Sequence, residues 1–349
     1  MLIEKLENKN ALSYEEWVYL ISHYEDVSFE GLSQKAQKVQ RRQFGNSVYI
    51  RGLIEISNYC KNNCYYCGIR AGNKNVNRYR LTKEEILECC RNGYPLGFRT
   101  FVLQGGEDPY FTDEILVPIV YSIKNEFPDC AVTLSLGERS TQSYKALFDA
   151  GANRYLLRHE TADNAHYSKL HPQTMSAENR KKCLYALKEI GYQVGCGFMV
   201  GSPFQTNEQL VQDMLFLQEF QPEMVGIGPF LPHCDTPFGQ YEAGNIELTL
   251  FLLALTRLLL PNALIPSTTA LASAKHSARQ QGILAGANVV MPNLSPFQFR
   301  KDYELYNNKL FSGSESAQEL EKLKKQMEEI GYSITVSRGD YVNNSKKVV

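Results

Sequence analysis

Three cysteines stand close together in Cys60-Lys-Asn-Asn-Cys64-Tyr-Tyr-Cys67, a C-x3-C-x2-C spacing. Soft thiolates select zinc, copper(I) or iron–sulfur clusters. A structural zinc takes four closed ligands, commonly as paired knuckles. Here no second pair follows, and the nearest histidines are His23 and His159. A three-thiolate site suits a cubane cluster with one iron left open to an outside ligand. The bland alternative is an incomplete zinc site or a chance set of thiols, and the tight spacing on a loop speaks against it. All nine cysteines lie between Cys60 and Cys234. In a chain of this size without an export pattern they read as reduced, reactive or metal-bound rather than as a disulfide framework.

Other residues could meet a ligand. Leu103-Gln-Gly-Gly-Glu107-Asp108 places Gly105 and Gly106 where the backbone can approach a ligand closely, although alone it is a common turn. Thr133 and Ser135 share parity on a strand and so face one side of a sheet. Arg158 and Glu160 alternate around His159 in the same way. Lining a barrel, they must be paired or ligand-bound, because an isolated buried charge costs several kcal/mol. His159 then points outward and is structural. By pattern alone Arg180, in a helix with solvent-facing cations, ranks as a surface charge. His233-Cys234-Asp235 could suggest a metal set, but neighbours on an extended chain point apart and Pro229, Pro232 and Pro237 indicate a rigid loop. Cys89-Cys90 falls in a helix, Cys130 at the start of a strand, and Trp17 among the N-terminal helices as an anchor.

The elements that must position these groups follow a repeating pattern. Strands are expected at Val48–Ser57, Thr100–Gln104, Ala131–Leu136, Arg154–His159, Gln193–Val200, Met224–Gly228, Leu264–Thr268 and Ala287–Met291. Helices are expected between them at Thr82–Asn92, Thr112–Glu126, Thr141–Ala150, Ala177–Ile190, Glu208–Glu219 and Ile246–Leu260. Thr82-Lys-Glu-Glu85 reads as a capping box and Gly191 as a helix stop. Eight strands alternating with helices indicate an α/β parallel (β/α)8 barrel over residues 48–310, with a doubly wound open sheet as the alternative. Residues 1–47 form an N-terminal helical extension, with helices at Tyr14–Tyr24 and Gly31–Phe44. Residues 311–349 supply a terminal helix, Ser316–Ile330, and a tail packed on the barrel. In such a barrel the catalytic groups sit at the C-terminal strand ends, which is where the residues above fall.

Lys plus Arg number 37 and Asp plus Glu 38, a formal charge of −1. No basic field points to nucleic acid or an anionic membrane. The apolar stretch Leu248–Pro266 is broken by Arg257, Pro261 and Asn262, too interrupted to span a bilayer. A soluble, cytoplasmic protein is expected.

The cysteine triplet resembles the cluster motif of radical S-adenosylmethionine (SAM) enzymes. The resemblance implies one 4Fe–4S cluster on Cys60, Cys64 and Cys67, with SAM chelated to the open iron and cleaved to methionine and a 5′-deoxyadenosyl radical. It places Tyr66 by the adenine, and the Gly105-Gly106-Glu107 turn at the methionine amino group. Separated runs narrow the likeness: Asn77-Arg-Tyr-Arg-Leu-Thr82, Leu103–Tyr110, Thr133–Glu138, Tyr155–Ala162, Met224–His233, Pro266–Ala270, Asn288–Asn293 and Tyr303–Tyr306 resemble the HydE-type FeFe-hydrogenase maturases. That resemblance implies SAM contacts at Ser135, Glu160 and Arg180, with Arg158, Met291 and Tyr303 beside them. It places Thr133, Thr268, Thr269 and Tyr306 along a substrate cavity. The implied substrate is a small organometallic iron complex carrying cysteine, carbonyl and cyanide, whose sulfur the radical attacks. Other implied partners are a one-electron reductant such as ferredoxin or flavodoxin, and further hydrogenase maturases.

Two departures and two rivals matter. No cysteine follows Cys234, so a second, C-terminal cluster is not expected. Sulfur insertion of the biotin-synthase kind needs barrel thiols; Cys196 reads as a small core residue and the second strand end has none. Methylornithine synthase shares the Arg-Tyr-Arg-Leu-Thr and Gly-Glu-Asp-Pro-Tyr patterns. Its amino-acid substrate calls for an acidic anchor on the seventh strand, where Thr268-Thr269-Ala270 has no carboxylate. A non-catalytic cluster carrier would need no polar cavity, which the Gly-Gly-Glu turn and Arg158/Glu160 argue against.

Overall fold

A computed structural model describes residues 1–275, 277–310 and 315–342. Parts of the segment 311–349 (residues 311–314 and 343–349) therefore lie outside the described residues. The strands are β1 (Ser47–Ile50), β2 (Gly52–Ser57), β3 (Thr100–Gly105), β4 (Ala131–Ser135), β5 (Arg154–Leu156), β6 (Gln193–Cys196), β7 (Met199–Val200), β8 (Met224–Val225), β9 (Gly228–Pro229), β10 (Val289–Val290) and β11 (Ser333–Thr335). The main sheet runs β2-β3-β4-β5-β6-β8, parallel throughout. Single bridges carry the pairing on from Met224 to Leu264 and from Pro266 to Val289. β10 pairs with β1, and Leu53 bridges Asn293, so the staves return to the first one and the barrel closes.

Among the described residues eight staves are present, as the alternation of elements predicts, but their edges differ. The first bends at Arg51 into β1 and β2, and the fifth and sixth split into β6/β7 and β8/β9. Gly197 causes the fifth break: a Cβ there would lie 2.0 Å from the Gly226 carbonyl oxygen, so the two backbones cross too closely for a side chain. The seventh stave, Leu264–Thr268, forms bridges but no strand, because Pro266 has no N–H to donate.

Helices α4 (Lys83–Gly93), α5 (Asp113–Glu126), α6 (Thr141–Asp149), α7 (Asn164–Leu170), α8 (Ala177–Ile190), α9 (Asn207–Phe220), α10 (Ile246–Leu259), α11 (Thr269–Ala274), α12 (Ala278–Leu284), α13 (Phe297–Arg300) and α14 (Leu320–Glu328) follow the staves. The Thr82/Glu85 capping box forms, and Gly191 ends α8 in the left-handed region. Before the barrel, α1 (Leu2–Lys9), α2 (Tyr14–Ser22) and α3 (Phe29–Phe44) lie on α9 and α10. Trp17 is fully buried there and donates to the Gln218 side chain at 3.3 Å. Helix α1 and strand β11 were not expected. β11 is three residues long, too short for a period, and pairs in parallel with β1.

The tail after β11 closes the base of the barrel. Arg154, buried at the start of β5, pairs with Asp340 at 2.7 Å and donates to the carbonyls of Arg338 and Gly339. With the base sealed, access is from the C-terminal strand ends. No described helix is long and apolar enough to cross a membrane.

Candidate active site

The loop after β2 carries Cys60, Cys64 and Cys67, all three partly exposed and in no disulfide. Arg78, two turns later in the chain, holds the loop by donating to the carbonyls of Asn58, Ile69, Arg70 and Asn73. The three thiols feel one another. Burial, then Cys67 and Cys60, pushes the Cys64 thiol up; burial, then Cys60, pushes Cys67 up to about 12. A soft metal centre is what turns such crowded thiols into ligands.

A second loop is fastened against the first. Asp108 accepts from both Nε and Nη2 of Arg80, at 2.7 and 2.9 Å, and from the Ser57 hydroxyl at 2.7 Å. Burial opposes its charge, but the Arg80 and Ser57 hydrogen bonds hold its carboxyl below the usual range. Arg80 also lies 3.8 Å from the Tyr59 ring centre, one residue before Cys60. Gly106 is required by this packing. A Cβ there would sit 2.2 Å from the Tyr59 carbonyl oxygen and 2.7 Å from the Cys60 Cβ, so the close approach is by the cysteine loop.

Charged groups converge beside the cysteines. Glu107 accepts from the Glu138 amide at 3.0 Å and lies 3.5 Å from Lys61 and 3.6 Å from Arg180. Arg180, from α8, pairs with Glu138 at 3.0 Å and is only 7% exposed. Its ranking as a surface charge is thus overturned. Arg180 belongs to the buried stripe of α8, with Ala177, Cys183, Leu184 and Leu187, and its guanidinium meets Glu107 and Glu138 from other staves. Burial opposes its charge, but Tyr167, Glu138 and Glu107 hold it protonated. A cleft of about 370 Å³ opens here between Lys61, Glu107, Glu138 and Arg139.

Arg158 and Glu160 pair at 3.1 Å, as expected of barrel-lining charges. The Glu160 backbone has φ 66°, held by hydrogen bonds with Gly197 and Met199. Such strain persists where the surroundings over-determine it, often at functional sites. Burial, then Glu160, pushes the Tyr66 phenol up. His159 points away from the barrel to Asp213 at 3.2 Å and packs on Phe216, a structural role. Thr133 is buried with an unbonded hydroxyl, and Ser135, half-buried, ends β4.

Tyr303 is buried and meets Gln104 at 3.4 Å; Tyr306 is half-buried, its phenol raised by burial and close to Ser273 and Arg158. Met291 packs with Met224, Leu264 and Val289. Thr268 caps α11 through Leu271, and Thr269 donates to Glu315 at 3.0 Å. The seventh stave therefore does meet a carboxylate, which arrives from beyond the barrel and is ion-paired with Arg279. His233-Cys234-Asp235 also differs from expectation. The chain turns there, and the three possible ligand atoms lie within 4.8 Å of one another. His233 Nδ1 accepts from the Asp235 amide at 3.1 Å, so that nitrogen is engaged within the turn itself. Cys130 and Cys196 are buried in the core.

Three features escaped the sequence. His171 accepts from the Tyr66 hydroxyl at 3.0 Å and stacks on Tyr167 at 3.9 Å, fixing the ring beside the cysteines. Glu55 lies buried inside the barrel, paired with Lys309 and bonded by Asn293 at 2.8 Å. Lys309 belongs to a strap, residues 302–310, that also bonds Asn58, Gly68, Pro232 and Ser273. A charged residue at an inward strand position was the available signal for Glu55; the others have none.

The donor set tests the fit of a cofactor. Three partly exposed thiols on one loop, an unbonded Thr133 hydroxyl and a convergence of Arg and Glu suit a three-thiolate cluster with a zwitterionic ligand. Residues 54–217 match the family described as the Radical SAM superfamily. The chain is 49% identical over 281 residues to the [FeFe] hydrogenase maturase subunit HydE of Thermotoga maritima, covering 80% of each. It belongs to the HydE-type radical SAM enzymes. The chain is also 32% identical to a 3-methylornithine synthase of Methanosarcina acetivorans, covering 82% of this chain and 81% of that one. A crystal structure of methylornithine synthase superposes with a TM-score of 0.83 at 27% identity, covering 96% and 97% of the two chains. For a radical SAM enzyme the α/β barrel, the cluster and SAM follow from membership.

Proposed function

We propose that this radical SAM enzyme acts in assembly of the FeFe-hydrogenase active site, on a small iron carbonyl cyanide complex bearing cysteine. The observation that carries the reading is the cysteine loop at the open mouth of a sealed barrel, within a chain 49% identical to a HydE subunit. Cys60, Cys64 and Cys67 would hold a single 4Fe–4S cluster, which with SAM supplies a 5′-deoxyadenosyl radical able to attack the substrate sulfur.

The chain's own residues bind and orient. Arg180 is held charged to meet a carboxylate, with Glu107 and Glu138 offering acceptors for an ammonium group. Tyr66, fixed by His171, presents a ring to the adenine, and Ser135, Arg158 and Glu160 line the path to it. Thr133, Thr268, Thr269 and Tyr306 would line the substrate cavity between this mouth and the sealed base, which excludes water from a reactive species. Met291, packed with Met224, and Tyr303 would stand beside the SAM contacts. A reductant, other maturases and a soluble cytoplasmic setting complete the proposal, with residues 48–310 as the barrel domain between the extension and the tail.

A second reading is formation of 3-methylornithine, favoured by the Glu315 carboxylate at Thr269 and by the structural likeness. Its pairing with Arg279 makes that carboxylate a weaker anchor for an ammonium group. Complementation of a maturation system lacking its HydE component separates the two. Restored hydrogenase activity supports the maturase; failure by a cluster-loaded, SAM-cleaving protein, with 3-methylornithine appearing instead, supports the rival.

A further inference from the structure

Glu55 is fully buried, and its place on β2 turns it into the barrel. Gly52 marks the outward side of that strand: a Cβ there would strike Leu294 and Phe98, under the outer helices. Residues 53, 55 and 57 therefore look inward. In register, Glu55 lies beside Gln104 on β3, and Gln104 beside Ser135 on β4. The carboxylate belongs to the wall of the barrel mouth.

Its orientation is fixed. Asn293 donates to Oε2 at 2.8 Å, and the Asn293 side-chain oxygen in turn accepts from the Ser295 amide at 2.8 Å. Oε1 is left to a cation, which the strap supplies. Lys309 pairs with Oε1, donates to the Tyr303 carbonyl at 2.9 Å and lies 4.8 Å from the centre of the Tyr303 ring. A carboxylate, a carbonyl and an aromatic face, all shielded from water, make a complete receptor for an alkylammonium group.

Tethering alone does not account for the pair. The strap is already bonded to Asn58, Gly68, Pro232 and Ser273, and a buried ion pair holds no better than well-packed apolar residues. Other acids nearby are matched in the same way: Glu160 by Arg158, and Glu315, which meets Thr269, by Arg279. An alkylammonium tail entering the cavity finds all three carboxylates taken.

We propose that Glu55 and Tyr303 form an ammonium site in the cavity wall, and that Lys309 fills it as a specificity device. The chain's own amine shuts out substrates that carry a primary alkylammonium tail, free lysine and ornithine among them. The inference deepens the proposed function and rests on it, since it says which substrates of a radical SAM barrel are refused. Removing Lys309 leaves a socket for the amine it replaces.

The test uses full-length reconstituted protein. Lys309→Ala keeps the Cβ and removes the equivalent of n-propylammonium. That amine should raise the melting temperature of Lys309→Ala saturably, by several degrees, with apparent binding at least about tenfold tighter than to wild type. Lys309→Ala should also retain radiolabelled L-lysine in equilibrium dialysis where wild type does not, a result that a merely structural pair would not produce. Tetramethylammonium, of equal charge but without an N–H, should have no effect, and adding Glu55→Gln to Lys309→Ala should abolish the response. If Lys309→Ala does not fold unaided, propylammonium in the refolding buffer should restore it. An equal response in wild type, a response shared by tetramethylammonium or surviving Glu55→Gln, or no response and no rescue in Lys309→Ala, overturns the proposal. Absence of SAM cleavage by wild type, with the amine results as expected, would instead refute the radical SAM reading and leave the ammonium site standing.

Discussion

Cys60, Cys64 and Cys67 are partly open to solvent, whereas Cys89, Cys90, Cys130, Cys183 and Cys196 are buried. That contrast separates the three loop thiols from the packed ones, and the exposed Cys234 lies apart, on the turn after β9. Cys64→Ala should abolish cluster absorbance and SAM cleavage together. Cys196→Ala, which removes one buried sulfur, should cost about 1 kcal/mol of stability and leave both intact; surviving cleavage in the first variant would contradict the assignment. A second expectation concerns pH. Burial holds His166 and His171 below the ordinary histidine range, His171 at about 3. Below about pH 6.5 the unfolded chain therefore binds more protons than the folded one. Stability is full above that pH and falls as the pH drops toward 3. Denaturant midpoints should be lower at pH 5 than at pH 7, and His166→Gln should narrow the gap; an identical gap would exclude His166 as a source. The ligand cysteines were legible because their chemistry depends on spacing along the chain. Arg180 was not, because its partners Glu107 and Glu138 lie on other staves and only the fold brings them to it.

Between the residue and the barrel stand the ties that hold loops to strands. Asp108, with Arg80 and Ser57, fixes the Gly-Gly-Glu turn and the cysteine loop to β2. Asp108→Ala would strand a buried hydroxyl and a guanidinium about one-third exposed. The expected loss is about 2 kcal/mol, below that of a fully buried pair. Iron content after reconstitution should fall with it, and full loading would show that the loop needs no such tie. Elements with strong local signals were readable: α8 has the predicted bounds, set by Ser176 and Gly191. The short staves were not. β7, β8, β9 and β10 are two residues each, and the apolar runs that contain them do not reveal where pairing stops.

At the scale of the molecule, the parallel barrel is sealed at its base by the Arg154–Asp340 pair and strapped at its mouth by residues 302–310, which pin Lys309 to Glu55 inside. Alternation of strands and helices revealed the barrel. It could not reveal either closure, since both join residues far apart in the chain, and Glu315 reaching Thr269 escaped for the same reason. The account's central claim is that three thiolates hold a cluster whose remaining coordination site is open to SAM. Electron paramagnetic resonance of the reconstituted, dithionite-reduced protein, recorded with and without SAM, tests it directly. A 4Fe–4S signal that shifts on adding SAM, at one cluster per chain, is the predicted result. A signal indifferent to SAM, or a protein that takes up zinc in place of iron, would contradict it.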